Sequence, residues 1–341
     1  YKQFNPAPRY HARDSAIFLS SLHKAKILLG SATPSLESYY NAVTNKYGLV
    51  TLNKRYGNVS LPKIIINDLK ESVSKKMMNG NFSHILLNNI KKTFIKKEQV
   101  ILFQNRRGHS PYLECSSCGF VYQCINCDVS LTYHQATNQL KCHHCGYREQ
   151  NNTKCKKCSN NTILKRGIGT QQVEEDIKTI FPEIIVKRMD HDSTRKKNSF
   201  QEIISAFENN DFEILVGTQM LTKGLDFKNV SLVGVINADS LIYFPDFRSQ
   251  EKCFQLLQQV AGRSGRSKEQ GRVVIQTYNP KHDLINKIVK NDYLGMFNEQ
   301  LNQRLTFNYP PYTRLIKITL KNKDLNKLIK ITYQIKNLLN K

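Results

Sequence analysis

No apolar run in these 341 residues is long enough to cross a bilayer. The longest, such as Ile214 to Gly217 and Ser231 to Ile236, fall far short of the roughly 20 residues a spanning helix needs. A cleavable leader is missing too, because Tyr1-Lys2-Gln3-Phe4 has neither an initiator Met nor an apolar core. These absences set the expectation of a soluble, cytoplasmic protein with no membrane partner, and the missing Met points to a fragment. Acidic residues are scarce: 27 Asp and Glu stand against 51 Lys and Arg, a net charge of +24. Such a field favours a polyanion, most often nucleic acid. Arginine is itself sparse, 15 of those 51, so part of the surplus is lysine on solvated faces. Charge alone therefore does not separate a DNA-binding protein from a lysine-rich surface.

Cysteine is abundant in one place. Eight of the nine form four Cys-x-x-Cys pairs: Cys115/Cys118, Cys124/Cys127, Cys142/Cys145 and Cys155/Cys158. In a cytosolic chain this spacing reads as metal rather than disulfide, and eight thiolates suffice for two structural zinc ions. Four pairs combine into two four-cysteine sites in three ways, and spacing does not choose among them. Sequential pairing leaves five residues between Cys118 and Cys124, whereas nesting gives Cys124/Cys127 with Cys142/Cys145 across fourteen. His143 and His144 lie inside a pair and are alternative ligands. The ninth, Cys253, shares helical spacing with Leu256, Leu257 and Val260 and reads as core.

Around this block the chain alternates strand and helix. Ile27 to Leu29 reads as a short buried strand ending in Gly30-Ser31-Ala32-Thr33-Pro34, with a helix from Ser35. Residues 57–80 read as a connector. Ser83 caps a helix bearing Leu86, Leu87, Ile90 and Phe94, and Gln99 to Phe103 is a strand running into Asn105-Arg106-Arg107-Gly108, where two arginines suit phosphate. After the cysteines, Thr170 caps a helix with Val173 and Ile177, then Ile184 to Val186 is a strand. Phe200, Ile203, Ile204 and Phe207 repeat at helical spacing. Glu213 to Val216, Leu232 to Ile236 and Arg272 to Gln276 are strands, with a helix over Arg248 to Ala261. This order implies a parallel doubly wound sheet, interrupted by the cysteines after its first strand. Leu284 to Leu305 reads as one helix, Tyr309-Pro310-Pro311-Tyr312 breaks it, and Leu315 to Leu320 alternates like a strand. Asp190 to Lys197 reads as a loop that either tracks a DNA backbone or is merely solvated.

Two further stretches carry chemistry. Gln259-Val260-Ala261-Gly262-Arg263-Ser264-Gly265-Arg266 ends a helix with two guanidiniums and an amide, groups suited to the spread charge of a transferring phosphoryl. Gly217 to Phe227 follows a strand with hydroxyls and backbone amides that suit a nucleic-acid phosphate, while Gly224 and Asp226 suit a nucleotide.

Taken in order, Gly30 to Pro34, Phe103 to Gly108, Gly217 to Phe227 and Gln259 to Arg266 resemble motifs III to VI of superfamily 2 helicases. With the four cysteine pairs after the second of these, and with Arg9 to Asp14, Asn237-Ala238-Asp239-Ser240 and Tyr309-Pro310-Pro311, the chain resembles the primosomal N′ family of bacterial replication-restart helicases. The resemblance implies an α/β fold of RecA-like helicase lobes, the first partial. A two-zinc, Cys-rich insertion would interrupt the second lobe, and a truncated α+β C-terminal domain would follow. The corresponding segments are 1–56 (end of lobe one), 57–80 (linker), 81–113 (start of lobe two), 114–160 (zinc insertion), 161–280 (rest of lobe two) and 281–341 (partial C-terminal domain). It also favours nested cysteine pairing. It implies ATP-dependent 3′-to-5′ unwinding of stalled or abandoned forks and reloading of the replicative helicase. Gln259, Arg263 and Arg266 would act on phosphoryl transfer, and Gly224, Asp226 and Gly262 would face the nucleotide. Thr33, Arg106, Arg107, Thr218 and Lys223 would contact nucleic acid. Implied partners are forked or single-stranded DNA, primosome proteins, single-strand-binding protein and helicase-loading machinery at the nucleoid. One departure stands out. The sequence has no Gly-x-x-x-x-Gly-Lys-[Ser/Thr] and no Asp-Glu-x-His, the elements that would hold ATP and Mg²⁺. The expectation is that this chain hydrolyses no ATP alone; a non-catalytic zinc-ribbon scaffold is the competing reading.

Overall fold

The computed structural model describes the chain except residues 1, 4–9, 53–60, 105–111, 116, 128, 135–136, 143–144, 152–153, 162, 167–168, 191–192, 195–197, 223–226, 265–269, 317, 319 and 340–341. It forms two compact units, Tyr1–Thr51 and Leu52–Lys341.

In the smaller unit, helices Ala12–Leu22 and Leu36–Val43 are the main elements. Ser35 caps the second by accepting from the Ser38 amide at 3.3 Å. Arg13 donates to the hydroxyls of Ser35 and Ser38, the latter at 2.8 Å. The strand expected at Ile27 to Leu29 is absent: the segment is irregular and Leu28 is 94% exposed. No described strand lies beside it to complete a ladder, so its apolar character finds no sheet to enter.

The larger unit is built on six parallel strands: β1 (Lys63–Asp68), β2 (Gln99–Phe103), β3 (Val186–Met189), β4 (Ile214–Gly217), β5 (Val230–Val235) and β6 (Arg272–Thr277). Their order across the sheet is β3-β4-β2-β5-β6-β1. The central strands are buried throughout, as parallel strands covered on both faces must be. Helices α1 (Leu69–Ser74), α2 (His84–Ile95), α3 (Thr170–Ile180), α4 (Ser199–Glu208) and α5 (Ser249–Ala261) complete this layer. Ser83 caps α2, and Leu86, Leu87 and Ile90 enter a core with Val100, Val216 and Val274. One buried amide ties three loops together. Gln276 accepts from the Ser83 amide at 2.8 Å and donates to the carbonyls of Asn81 and Ile236 at 3.0 and 2.9 Å.

Several expectations change. The 57–80 connector contains β1, which pairs with β6 at the sheet edge from Lys63↔Arg272 to Asp68↔Thr277. The cysteine block thus enters after the second strand of the six-stranded sheet. Gly169, not Thr170, caps α3; the Thr170 hydroxyl instead donates to the buried carboxylate of Asp190. Asp190 also accepts from the Ser193 amide at 3.0 Å, which makes the start of that loop a structural corner. The expected single helix at 284–305 is two, α6 (Asp283–Lys290) and α7 (Tyr293–Thr306). Asn291 turns left-handed at φ 53° and Asp292 caps α7 through the Gly295 amide, so the Asn-Asp pair is a break. Among the described residues of 315–320 there is no strand, and Ile316 is 87% exposed. A helix closes the described chain at Leu325–Leu339.

Candidate metal centres and motor motifs

The cysteine insertion stands on a two-stranded stem, Tyr112–Cys115 antiparallel to Ile163–Arg166, with Cys115 opposite Ile163. That pairing returns the fourth cysteine pair to the first. Inside it, strands Thr132–His134, Gln139–Lys141 and Arg148–Gln150 form an antiparallel sheet. All four cysteine pairs share one turn. The amides of Cys115, Cys124, Cys142 and Cys155 donate to the carbonyls of Phe120, Val129, Tyr147 and Asn160, at 2.8 to 2.9 Å. Gly119, Gly146 and Ser159 take left-handed φ of 72°, 78° and 60° and return their amides to the first cysteine of their pair.

These turns bring the thiols into two sets, Cys115/Cys118/Cys155/Cys158 and Cys124/Cys127/Cys142/Cys145, with the sulfurs of each set within 4.8 Å of one another. Sulfur separations across the pairs are 3.6 Å (Cys115 to Cys158), 3.7 Å (Cys118 to Cys155) and 3.5 Å (Cys124 to Cys145). Four sulfurs about 2.3 Å from one tetrahedral zinc stand about 3.8 Å apart, so both donor sets fit zinc. Both sets are complete without histidine; His143 and His144 lie outside the described residues. The pairing is the nested one. Backbone amides of Asn126 and Lys157 point at the sulfurs of Cys124 and Cys155, at 3.4 Å each. The two centres are bridged by Lys156 and Glu149 at 2.6 Å.

Without a cation, desolvation and crowded thiols push Cys118 up to about 12 and Cys124 up to about 11, and raise Cys127 further. Burial opposes ionisation of Cys145 as well, but the Tyr147 amide and neighbouring donors bring it down to about 6. A bound dication would take its sulfur ligands as thiolates. Groups that hold protons at neutral pH must lose them on loading, so zinc binding near pH 7 releases protons and tightens as pH rises. Calorimetric titration in two buffers of different ionisation heat checks this; a heat independent of the buffer would contradict it.

The insertion is not hung on the lobe by its stem alone. Asn279, beyond β6, donates to the Gly119 carbonyl at 3.3 Å and to the Tyr243 hydroxyl at 2.9 Å. A Cβ on Gly119 would stand 2.7 Å from Asn279 and from Lys70. Phe247, before α5, packs onto the insertion core of Leu113, Tyr122, Val129, Leu131 and Leu140.

Among the described motif residues of the larger unit, Gly217 and Thr218 stand at the carboxyl end of β4 and Gln259 to Arg263 at the end of α5. Gly217 ends β4 where a Cβ would meet Leu221 at 2.7 Å and the Met189 carbonyl at 2.9 Å, so only glycine fits. Thr218 follows it half-buried, and the 3-10 turn Gln219–Thr222 packs against α5. Gln259 is exposed on the last turn of α5, and Gly262 and Arg263 continue from it half-buried. The turn that follows Thr218 thus lies against the helix that leads into Gln259–Arg263. Thr33 lies in the smaller unit, where its amide donates to Ser31 at 3.1 Å. Arg106, Arg107, Lys223, Gly224, Asp226 and Arg266 lie outside the described residues. Asp239 of the Asn-Ala-Asp-Ser stretch is buried and accepts from Thr277 at 3.0 Å and the Tyr278 amide at 2.7 Å, joining β5 to β6. Cys253 is buried in α5, its thiol pushed up by desolvation. Sequence reasoning missed the Arg304–Glu251 pair described below, whose members lie 53 residues apart.

Two family descriptions match this chain: the PriA DNA helicase Cys-rich region (CRR) domain over residues 124–150, and the helicase conserved C-terminal domain over 170–268. It is 42% identical to the replication restart protein PriA of Bacillus subtilis over 330 residues, covering 96% of this chain and 40% of that protein. With the Haemophilus influenzae protein of the same name it shares 42% over 327 residues, 95% of this chain and 44% of that one. With the Rickettsia felis protein the identity is 39% over 324 residues, 94% and 50% of the two chains. The chain belongs to the PriA family. It spans about two fifths to half the length of these PriA relatives. The parallel sheet is thus the RecA-like helicase lobe of a PriA-family sequence, and the cysteine block is its Cys-rich insertion.

Proposed function

We propose that this chain supplies the second motor lobe of an ATP-driven DNA helicase that unwinds 3′-to-5′ at stalled or abandoned replication forks and begins reloading of the replicative helicase. The observation that supports the proposal is the packing of the 3-10 turn Gln219–Thr222, just after Thr218, against α5, the helix that runs into Gln259, Gly262 and Arg263. Arg263 and Arg266 would stabilise charge on the transferring γ-phosphoryl, with Gln259 orienting the attacking water. Gly224, Asp226 and Gly262 would face the nucleotide. Thr33, Arg106, Arg107, Thr218 and Lys223 would hold phosphates of the tracked strand, which positions DNA without reading its sequence.

The eight paired cysteines would hold two zinc ions, whose chemistry is cross-linking alone. Residues 1–56 would belong with lobe one, 81–280 with lobe two and its insertion, and 281–341 with a C-terminal domain, while 57–80 would join the lobes and contribute Lys63–Asp68 to the sheet. ATP, Mg²⁺, primosome proteins, single-strand-binding protein and helicase-loading machinery complete the proposed setting, in the nucleoid. The 341-residue sequence carries no phosphate-binding lysine motif, so it should bind DNA with strong salt dependence yet turn over no ATP alone. The test expresses the full reading frame that contains these residues and assays it on forked DNA. ATP-dependent 3′-to-5′ unwinding is expected. A full-length protein that binds forks without unwinding them would favour a scaffold, and turnover by the 341 residues alone would contradict the missing-motif argument.

A further inference from the structure

A short path of buried contacts joins the second cysteine centre to the motor helix. The Cys127 carbonyl accepts the Tyr309 hydroxyl at 2.9 Å. The Tyr309 ring stacks on Phe247, centroids 4.4 Å apart and 11° from parallel. The guanidinium of Arg304 lies over the same Phe247 ring at 5.3 Å. Arg304 is 1% exposed, donates to Glu251 at 2.6 Å, and donates to the Pro310 carbonyl at 3.2 Å. Glu251 sits in the first turn of α5, and Arg263 follows the end of that helix, about 18 Å further along the axis. Each joint has a direction: a hydroxyl aimed at a ligand's own carbonyl, a planar stack, a planar fork on a carboxylate. Loose hydrophobic packing would fix none of these angles.

From this geometry we infer that Tyr309 and Arg304 are positioning residues. They hold α5, and with it Gln259 and Arg263, in register with the Cys124/Cys127/Cys142/Cys145 centre. The inference rests on the reading that this centre holds a metal ion. A metal that fixes Cys127 then orders α5, and by linkage the contacts from α5 tighten the metal by the same factor. Tyr309 bonds the backbone carbonyl of a ligand residue, one step beyond the partners of the ligating group itself, whose loss weakens metal binding about 10- to 100-fold, so the lower end of that range is expected here.

Tyr309→Phe removes one hydroxyl and keeps the stack. In the 341-residue chain loaded with zinc, stepwise release to a chromogenic chelator separates the two centres, with Cys142→Ser assigning the second. The expected result is about tenfold weaker zinc at the second centre and no change at the first. Hydrogen exchange at Leu257 to Ala261 should also quicken when wild-type chain loses that zinc, and should quicken in loaded Tyr309→Phe. Should that variant fail to fold, Phe247→Leu, which removes the stack, is expected to give the same pair of changes. Equal weakening at both centres, unchanged zinc affinity, or exchange in α5 indifferent to the metal would each overturn the inference. A wild-type chain that binds zinc only at the first centre would instead overturn the metal reading beneath it.

Discussion

Stripping zinc from this chain is expected to unfold the insertion and to loosen α7 and the first turn of α5, while the six-stranded sheet persists. Each four-sulfur centre contributes on the order of 10 kcal/mol of coupled folding energy, more than the small insertion core replaces. The loosening is expected to reach beyond the insertion, because Phe247 packs into the insertion core and Tyr309 holds the Cys127 carbonyl. Asn279 and Gly119 make a second tie, to the first centre. The damage should therefore spread along these contacts and stop at the sheet, whose core of Leu86, Val100, Val216 and Val274 contains no insertion residue. Hydrogen exchange with and without chelator reads this directly. Melting confined within residues 112–166, or collapse of the sheet with the insertion, would each contradict it.

The second large effect is expected at Arg304. Its replacement by Ala leaves Glu251, 3% exposed, without its closest cation in a desolvated site. Removing one partner of a buried pair costs about 3–5 kcal/mol, and here the Pro310 carbonyl loses a donor as well. Arg248 stands 3.7 Å from Glu251 and recovers part of the loss. Arg304→Lys should not rescue, because a point-like ammonium cannot serve the carboxylate and the carbonyl while lying flat on Phe247. The exposed Lys75–Glu71 pair on α1 provides the control: Lys75→Ala should leave the denaturation midpoint unchanged. Urea titration of the four chains checks the ranking, and equal midpoints for Arg304→Ala and Lys75→Ala would sink it.

Much of the parallel sheet was legible because its central strands are buried on both faces and read as short apolar runs, as at Val100 to Leu102 and Leu232 to Val235. β1 escaped because Ile64 to Ile66 lies between Pro62 and Asn67-Asp68, residues that punctuate loops; only its pairing with β6 reveals a strand. The ligands of the centres were plain from spacing, whereas their pairing needed the stem that sets Cys115 beside Ile163. Nothing local marks Arg304, which sits in the polar stretch Asn302-Gln303-Arg304 and is buried by Glu251 from a distant helix. Gly217 showed as a turn residue, but the Met189 carbonyl that forbids a Cβ there comes from the neighbouring strand.

The central claim, that α5 delivers a catalytic arginine to ATP in a DNA-driven motor, is tested most directly at Arg263. In the full reading frame, Arg263→Ala should lower DNA-stimulated ATP turnover about 10³-fold or more while DNA affinity at fixed salt stays nearly unchanged. Unaltered turnover, or a loss explained by weaker DNA binding, would contradict it.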